Sequence, residues 1–348
     1  MGKQYSIKEV ARLLGINANK IRFYEKKGLI NPERGEANDY RYFSDEEVIK
    51  LHSILLYRVL GLSVKDIEGL LKNTTKENYL GHFYNQWKVV NDKIHELSQM
   101  RGALENIMDE MYRVTDGQYT EGVLTEIQHN VEKLTVKNNW KDKWAFDNWA
   151  RSYDRDVKAD RGTLKIYENY EVLLDSVVKE AIKSTADGAQ ILDIGVGTGN
   201  LSNRLYNLGY DITGVDQSRA MLEVAKSKNS GLKVRLGEFM KLPFENKSFD
   251  AIVSTYAFHH LDEKEKEVAV EEMIRVLADD GVIVIGDLMF ESDEAKNGVY
   301  ATLTAKEIDS IEDEYYTNIR KLEEYVGKHA RKMNKIQIDK LCWIVTIG

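Results

Sequence analysis

Three glycines at alternate positions form the clearest candidate binding motif of the chain. Asp193 closes a short apolar run, and Gly195, Gly197 and Gly199 follow it. Glycine lets the backbone approach a ligand closely and adopt positive φ, where a Cβ would clash. The dinucleotide fingerprint requires a further glycine where Asn200 stands, so the motif disfavours a nicotinamide or flavin. We therefore predict a ligand site on a turn that joins a buried strand to a helix.

Two acidic residues follow later predicted strands and suit the rest of an adenosine. Asp216 ends a strand, and a carboxylate there can accept both hydroxyls of a ribose. Glu238 can accept from an adenine amino group, and Phe239 can offer a backbone amide or an apolar wall. Together with the glycine turn, these contacts indicate an adenosine without phosphates. Each feature alone has a structural alternative, because acids at strand ends and glycine turns frequently serve only the fold.

Two adjacent histidines are the candidates for proton transfer. His259 and His260 follow a predicted strand that ends near Tyr256. A neutral imidazole is matched to proton removal near neutral pH, so either histidine can act as a general base if the acceptor must lose a proton. The alternative is that one of the two packs or caps without a chemical role.

Alternating strands and helices position these residues from Trp140 onward. Helices are predicted at 164–182 and 219–228, and strands at 190–194, 211–216, 233–236, 249–254 and 281–288. This alternation predicts a parallel, doubly wound sheet with ligands at the carboxyl ends of its strands. A charged helical insertion with four tyrosines, 292–330, precedes closing strands at 334–338 and 341–347. The insertion either covers an acceptor site or packs as an ordinary amphipathic region.

A helix-turn-helix pattern begins the chain. Ser6 starts one helix with a capping-box pattern, and Asn17 is a good N-cap for a second. Two short helices joined by a glycine turn are typical of DNA-binding units. On the second helix Asn19, Lys20 and Arg22 can face outward, and the two basic side chains suit phosphates or guanine edges in a major groove.

A short hairpin and two further helices complete this amino-terminal pattern. Residues 33–39 are rich in turn formers and precede the alternating run that starts with Tyr40 and Arg41. This pattern predicts a wing beside the helix-turn-helix. One helix is predicted to start after Ser44 and another after Ser63.

A heptad pattern follows the wing and helices. Apolar residues separated alternately by three and four positions, with one polar exception, are Leu80, Phe83, Trp87, Val90, Ile94, Leu97, Arg101, Leu104, Met108 and Met111. Such a seam predicts a long helix that pairs with another helix, the alternative being a helix on its own domain's core. A weaker amphipathic helix within 112–138 is interpreted as a linker or docking helix, with apolar residues Val123, Leu124, Ile127, Val131 and Leu134.

Composition limits the class of protein. The 348 residues include 43% hydrophobic and 30% charged residues, which is ordinary for a globular protein. We find no apolar run of about 18 residues and no signal-peptide core, so we expect a cytoplasmic protein without a membrane partner. The single cysteine, Cys342, provides no thiolate cluster, and we expect no metal site. Residues 1–30 carry a net charge of +5 although the whole chain carries −8, as in a small basic DNA reader joined to an acidic domain.

Residues 5–72 resemble the DNA-binding domain of the MerR family of transcriptional regulators. The matching runs are 5–11, 21–30, 40–41 and 61–67, and the family commonly has glycine where Asp39 stands. The resemblance implies that the chain binds double-stranded promoter DNA as a homodimer, distorts it, and dimerises through an antiparallel helix at residues 80–111. The predicted DNA contacts are Asn17, Asn19, Lys20, Arg22, Tyr24, Tyr40 and Arg41.

The region from about Trp144 to Gly348 resembles class I S-adenosylmethionine-dependent methyltransferases, most closely those of small molecules. The matching segments are 146–154, 193–199, 216, 237–238, 242–244, 248–250, 259–261 and 274–277. The resemblance implies that the glycine turn holds the methionine part of the cofactor and that Tyr153 lies near it. The predicted cofactor contacts are Tyr153, Asp193, Gly195, Gly197, Gly199, Asp216, Gln217, Glu238 and Phe239. The family usually has aspartate where Glu238 stands.

The predicted fold class is multidomain: an α winged helix-turn-helix at 1–75, a long coiled-coil helix at 76–114, a linker helix at 115–139, and an α/β Rossmann-like methyltransferase domain at 140–348. The leading hypothesis is a transcriptional regulator whose methyltransferase domain acts on a small-molecule acceptor. The alternative is a sensor that binds S-adenosylmethionine or another effector without chemistry and controls DNA distortion. A nucleic-acid methyltransferase is disfavoured, because residues 256–260 lack the Asn/Asp-Pro-Pro-aromatic type of motif and the catalytic half is acidic.

Overall fold

The computed structural model describes residues 3–35, 39–72, 79–113, 121–139 and 143–348. The chain divides into two compact units, Met1–Arg101 and Gly102–Gly348, which are described separately. Within the described ranges, no helix combines the length and apolar character needed to cross a membrane.

The first unit is a winged helix-turn-helix followed by a long helix. Its elements are β1 (Gln4–Ser6), α1 (Ile7–Leu13), α2 (Ala18–Lys26), β2 (Glu33–Arg34), β3 (Arg41–Ser44), α3 (Asp45–Val59), α4 (Val64–Lys72) and α5 (Tyr79–Arg113), of which α5 continues into the second unit. Strands β1 and β2 both pair antiparallel with β3. The predicted fold class is confirmed for this part of the chain.

Local capping explains where the first helices begin. The Ser6 side chain accepts from the backbone of Glu9 in a complete capping box, and Asn17 accepts from the backbone N of Lys20 at 2.9 Å. At the wing, Asp39 has a φ of +55°, the left-handed conformation that favours glycine. An ion pair of 2.9 Å to Arg34 holds the Asp39 side chain in place.

The core of the first unit combines residues from both helices of the helix-turn-helix with the wing and α3. Its fully buried members are Val10, Ile21, Phe43, Leu51, Ile54 and Ile67. Leu13, the last residue of α1, is 60% exposed, whereas Val10 on the same helix is fully buried.

Helix α5 is 35 residues long and covers the predicted seam. Within the first unit one of its faces is polar and buried, where Gln86 Nε2 donates to the Ser53 hydroxyl at 2.6 Å. Another face carries an exposed apolar stripe, whose members are between 37% and 59% exposed: Leu80, Phe83, Trp87, Ile94, Leu97, Met100, Leu104 and Met108. The Met111 side chain lies outside the described residues.

The second unit begins with helices α6 (Glu121–Asn139), α7 (Phe146–Trp149), α8 (Tyr153–Ala159) and α9 (Tyr170–Ile182). It continues with β4 (Gln190–Ile194), α10 (Asn200–Asn207), β5 (Asp211–Asp216), α11 (Arg219–Lys228), β6 (Lys233–Leu236), β7 (Phe249–Thr255), a 3₁₀ turn (Phe258–His260), α12 (Glu263–Val276) and β8 (Leu277–Phe290). Its last elements are α13 (Asp293–Tyr300), α14 (Ala305–Glu312), β9 (Thr317–Asn318), α15 (Ile319–Gly327), β10 (Met333–Gln337) and β11 (Cys342–Ile347).

The strand order β10-β11-β8-β7-β4-β5-β6, with β9 beside β8, gives a mixed sheet. The strands from β4 to β9 pair in parallel, whereas β10 and β11 are antiparallel. The expectation of a wholly parallel sheet is therefore wrong at one edge. There the chain returns through a short connection between β10 and β11, which permits only antiparallel pairing.

Alternate residues of the central strands enter two cores, one on each face of the sheet. Leu192 and Ile283 pack on the face that α12 and α15 cover, and Ile191 and Val284 on the face that α9 and α10 cover. Burial on both faces explains the continuous apolar runs of these strands. The Rossmann-like fold class predicted for this region is confirmed.

The helix predicted at 164–182 begins only at Tyr170. Lys165 has a φ of +50°, which a right-handed helix cannot contain. Of the residues proposed for the 112–138 helix, Leu124, Ile127 and Val131 are exposed on α6, and the side chains of Val123 and Leu134 lie outside the described residues.

Candidate functional site

The glycine turn borders a cavity at the carboxyl ends of β4, β5, β6 and β7, which we call the glycine-turn cavity. Seven of the nine predicted cofactor contacts line it: Tyr153, Gly195, Gly197, Asp216, Gln217, Glu238 and Phe239. Because all four strands are parallel, their carboxyl ends lie at one edge of the sheet, as the sequence indicated.

The turn needs glycine for both conformation and space. Gly195 and Gly197 have φ values of +73° and +52°. A Cβ built on Gly195 would lie 2.4 Å from the Cβ of Ala257. The Gly197 N–H donates to the Asp216 carboxylate at 2.9 Å, which ties the turn to the end of β5.

Asp216 and Gln217 give the glycine-turn cavity its polar character. The second carboxylate oxygen of Asp216 accepts from the Ser218 N–H at 2.8 Å. The Oε1 atom of Gln217 is buried and has no hydrogen-bond partner among the described residues. A buried acceptor without a partner is costly, so Gln217 is suited to receive a donor from a bound ligand. These groups fit an adenosyl ligand.

Asp193 and Gly199 do not line the glycine-turn cavity, contrary to the prediction for direct contacts. Asp193 is 1% exposed and accepts the hydroxyl of Ser202 at 2.6 Å. Burial, helped by the nearby Asp216, raises the pKa of Asp193 to about 7. A Cβ on Gly199 would lie 3.2 Å from the Cβ of Ala225, so Gly199 serves the packing of the turn against α11. Asp193 lies within β4 and faces the protein interior, whereas Gly199 lies at the end of the turn, where α10 begins.

Residues 146–154 form a segment that we call the carboxylate clamp. Two of its aspartates hold it over the glycine turn. Asp147 accepts the Ser218 hydroxyl at 2.6 Å and the Ala220 N–H at 3.1 Å, at the start of α11. Asp154 accepts the hydroxyl of Thr198 at 2.6 Å and also pairs with Lys228. The clamp thereby brings Phe146 and Tyr153 to the glycine-turn cavity.

A second cavity of about 360 Å³, the acceptor cavity, adjoins the first. Four residues line both: Phe146, Tyr153, Tyr256 and His260. Tyr256 has a φ of +50° directly after β7, and its hydroxyl donates to the carbonyl of Ile166 at 2.9 Å. Strain of this kind persists where the surroundings impose it, commonly at functional sites.

His259 belongs to the acceptor cavity and has a fixed orientation. Its Nδ1 lies 2.5 Å from a carboxylate oxygen of the fully buried Asp287, and its backbone N–H donates to the other oxygen at 3.0 Å. Burial disfavours the imidazolium, but the carboxylate of Asp287 outweighs burial and raises the pKa of His259. With Nδ1 facing the carboxylate, Nε2 is the nitrogen available to take a proton.

His260 has different surroundings. Burial, followed by the adjacent His259, lowers the pKa of His260. Its Nδ1 contacts Glu314 Oε2 at 2.8 Å, and its ring centroid lies 4.5 Å from that of Trp144. The two histidines, which the sequence did not distinguish, therefore differ in the direction of their pKa shifts. They also differ in location, because His260 lines both cavities and His259 lines the acceptor cavity.

His259, His260 and Glu314 also have the composition of a metal site, with one donor atom of each within 4.8 Å of the others. The Nε2 atom of His259 lies 3.6 Å from the same Glu314 oxygen that contacts His260. The three side chains contact one another, and His259 also contacts Asp287; these contacts account for the positions of the donor atoms.

Several residues at the site had no assigned role in the sequence. Asp287 follows an apolar run within β8, and a buried acid in such a run is a signal that points to a partner. Glu314 and Tyr316 come from the 292–330 insertion and carried no comparable signal. The insertion therefore contributes to the wall of the acceptor cavity, whereas its Tyr325 lines a separate cavity.

In the first unit, the seven predicted DNA contacts differ in exposure. Asn17, Asn19, Lys20, Arg22 and Tyr40 are exposed. The guanidinium of Arg41 donates to Glu25 at 2.7 Å, which fixes its position beside the wing.

Tyr24 does not fit the predicted contact with DNA. It is 2% exposed and packs in the core with Ile21, because the two residues lie three positions apart on the inner face of α2.

Known proteins match the two parts of the chain separately. Residues 5–74 match the MerR HTH family of regulatory proteins, and residues 192–285 match a methyltransferase domain family. An uncharacterized methyltransferase of Oceanobacillus iheyensis is 36% identical over 207 residues, covering 58% of this chain and 94% of the relative. One from Anoxybacillus flavithermus is 36% identical over 205 residues, with the same two coverages of 58% and 94%.

Among solved structures, magnesium protoporphyrin IX methyltransferase from Synechocystis PCC 6803 was determined with bound S-adenosylhomocysteine. It has a TM-score of 0.46 and 15% identity, covering 59% of this chain and 99% of that chain.

Proposed function

This chain belongs to the family of the uncharacterized methyltransferases from Oceanobacillus iheyensis and Anoxybacillus flavithermus, and it carries a MerR-type helix-turn-helix domain. We propose that it transfers a methyl group from S-adenosylmethionine to a small molecule and binds promoter DNA as a dimer. The observation that carries the catalytic half is the junction of two cavities. The glycine-turn cavity suits an adenosyl ligand, and it shares four lining residues with a separate cavity lined by His259, whose ring contacts the buried Asp287 behind it.

Different residues of the glycine-turn cavity would hold different parts of S-adenosylmethionine. Gly195 and Gly197 allow the methionine part to approach the backbone, Asp216 accepts from the ribose, and Glu238 with Gln217 faces the adenine. When bound, the cofactor supplies an activated methyl group on a sulfonium. Positioning of the acceptor in line with that group can provide most of the rate enhancement.

In the proposed reaction, His259 acts as the general base. Asp287 holds its Nδ1, so that Nε2 can take a proton from an acceptor in the cavity. His260 instead separates the two cavities and orients Glu314. We therefore assign proton removal to His259 and positioning to His260.

The DNA-binding half rests on exposed groups of α2 and the wing. Asn19, Lys20 and Arg22 are exposed on one helix, and the Arg22 guanidinium donates to Asn19 at 2.8 Å. Asn17 and Tyr40 extend this polar surface. The exposed apolar stripe of α5 supports dimerisation through a coiled coil with a second copy.

The deciding experiment combines cofactor binding with methyl transfer. The protein is incubated with labelled S-adenosylmethionine and an extract of its host, and the labelled product is identified. We expect a labelled small molecule, and transfer reduced by about 10²- to 10⁴-fold in His259→Ala and Asp287→Asn, since a general base contributes that much. S-adenosylhomocysteine affinity should change less than about twofold in both variants, because neither residue lines the glycine-turn cavity.

Binding of S-adenosylhomocysteine without any labelled product would favour the alternative, a sensor that controls DNA without chemistry. Absence of binding would overturn both hypotheses. Label in DNA in place of a small molecule would contradict the acceptor class.

A further inference from the structure

We infer that the acceptor cavity recognises a cation, so that the methyl acceptor is an alkylamine that enters as its ammonium ion. This inference rests on the proposed methyltransferase function and names the acceptor class. It is carried by an aromatic wall combined with the carboxylate of Glu314, which lines the cavity beside both histidines.

The aromatic wall comes from four regions that are distant in sequence. Trp144, Phe146 and Trp149 belong to the segment before α8, and Tyr316 belongs to the insertion. Tyr167 and Tyr256 contact each other as tilted rings, with 5.1 Å between their centroids. Aromatic faces attract cations through the ring quadrupole, and cages of several rings recognise alkylammonium groups. A neutral alcohol or thiol gains nothing comparable from the ring faces.

Two carboxylates lie on the histidine side of the cavity. Glu314 lines the cavity beside both histidines, and the buried Asp287 lies directly behind His259. Two cations are nearby. Lys165 lines the cavity, where its ammonium donates to the carbonyl of Asp160 at 2.5 Å, and the buried Lys266 donates to the Tyr315 carbonyl at 2.6 Å outside the cavity lining.

Two tyrosines that line the cavity lie close to the same carboxylates. After burial, the carboxylate of Glu314 is the next largest cause that raises the pKa of both Tyr167 and Tyr316, and Asp287 acts in the same direction. Both phenols therefore lie close to the Glu314 carboxylate, whose negative charge favours a positively charged guest.

The sulfonium of S-adenosylmethionine is also a cation, but it does not account for Glu314. Glu314 lines the acceptor cavity and is absent from the lining of the glycine-turn cavity. The carboxylate therefore faces the guest that occupies the second cavity.

The reaction balances with the groups named. The ammonium of the guest loses one proton to Nε2 of His259, and the nitrogen lone pair then forms the new N–CH₃ bond. The S–CH₃ bond breaks and its electron pair remains on sulfur. The products are the protonated methylamine and S-adenosylhomocysteine, and the proton on His259 passes to solvent.

Choline and its uncharged isostere 3,3-dimethylbutan-1-ol provide a direct test on the full chain saturated with S-adenosylhomocysteine. Titration calorimetry should give at least about tenfold tighter binding of choline, as expected for a desolvated cation over aromatic rings. Glu314→Gln should reduce this preference at least threefold. The matched control is Glu312→Gln, since Glu312 contacts Tyr300 and Lys296 outside the cavity and should leave the preference unchanged.

A second measurement tests the methyl-transfer reaction itself. It uses the native chain, so its outcome does not depend on whether a variant folds. The full chain with labelled S-adenosylmethionine is offered 2-phenylethylamine, 2-phenylethanol and 2-phenylethanethiol, and we expect at least about tenfold faster labelling of the amine. Equal binding of choline and its isostere, or labelling of the alcohol or thiol in preference to the amine, would overturn the inference and leave the proposed function standing. Failure of S-adenosylhomocysteine to bind would overturn the proposed function instead.

Discussion

Gly195 has two independent reasons to lack a side chain. Its φ of +73° is unfavourable for any residue with a Cβ, and that Cβ would lie 2.4 Å from the Cβ of Ala257. Ala257 also lines the glycine-turn cavity, so relief of this clash must move the cavity wall. Residue-scale strain and ligand binding are therefore coupled at this position.

Gly195→Ala should weaken S-adenosylhomocysteine binding by about tenfold or more, the equivalent of about 1.4 kcal/mol. Titration calorimetry on the folded protein measures it. Gly209→Ala is the matched control, because Gly209 has a φ of +93° with nothing within 4 Å of its Cβ position. It should lose a similar amount of stability to backbone strain but keep its affinity. Equal affinity in both variants would show that the turn does not hold the cofactor.

Asp193 affects stability through its protonation. Its pKa is raised to about 7 in the folded chain, whereas an unfolded aspartate has a pKa of about 3.9. Between these values the folded state binds more protons than the unfolded state, so stability falls as pH rises and levels off above about 7. Asn at this position can still accept from Ser202 but cannot ionise.

We predict that Asp193→Asn gains stability relative to the native chain by about 2 to 3 kcal/mol between pH 5 and pH 8. Urea unfolding at pH 5 and at pH 8 measures this gain. The transition to follow is the one whose urea midpoint rises when S-adenosylhomocysteine is added. The difference between the two proteins cancels the other titrating groups. If the two stability profiles run parallel, the raised pKa is wrong.

At the scale of elements, the carboxylate clamp joins a short helical segment to two separate helices. Asp147 reaches the amino terminus of α11, and Asp154 reaches the start of α10 through Thr198 and Asn200. Asp147 also sits where the positive end of the α11 dipole favours a negative charge. The clamp thus closes one side of the glycine-turn cavity without any apolar core of its own.

Asp147→Ala should speed dissociation of S-adenosylhomocysteine by about tenfold, because a charge-assisted hydrogen bond contributes about 1.5 to 3 kcal/mol. Stopped-flow displacement measures this rate. Asp147→Asn keeps an acceptor and should recover most of the loss, and Arg155→Ala, whose side chain is 77% exposed on α8, should behave as the native chain. A rate unchanged in Asp147→Ala would mean that the clamp does not control release.

At the scale of the whole molecule, charge and exposed apolar surface are distributed unevenly. The first 30 residues are strongly basic within a chain of net charge −8, which suits a local DNA surface. The stripe along α5 exposes large apolar side chains at heptad spacing, and Leu97 near its middle is 54% exposed. An exposed apolar stripe of this length is typical of a helix with a missing partner.

Leu97→Lys should convert a dimer into a monomer at micromolar concentration, as measured by analytical ultracentrifugation, because it places a charge in the seam. Duplex DNA selected with the native protein should then bind at least about tenfold more weakly, since two half-sites no longer bind together. Gln99→Lys is the control, because two residues along a helix turn the side chain to another side. A native chain that is already monomeric would refute the dimer.

Much of the second unit follows from local patterns. The strands Gln190–Ile194, Asp211–Asp216 and Lys233–Leu236 and the helix Arg219–Lys228 have the bounds that the sequence predicted. Their apolar runs, caps and glycines act over a few residues, so the signals lie in consecutive positions. The same locality explains why short runs of residues suffice to identify the helix-turn-helix and the glycine turn.

Tertiary structure alone decided the remaining features, because they depend on contacts between distant residues. Asp287 and Glu314 lie 28 and 54 residues beyond the histidines they contact, and no local period links them. The burial of Tyr24 and the inward position of Asp193 likewise depend on what packs against their elements. The sequence determined where a cofactor turn and a DNA reader lie, whereas packing decided which side chains surround the acceptor cavity.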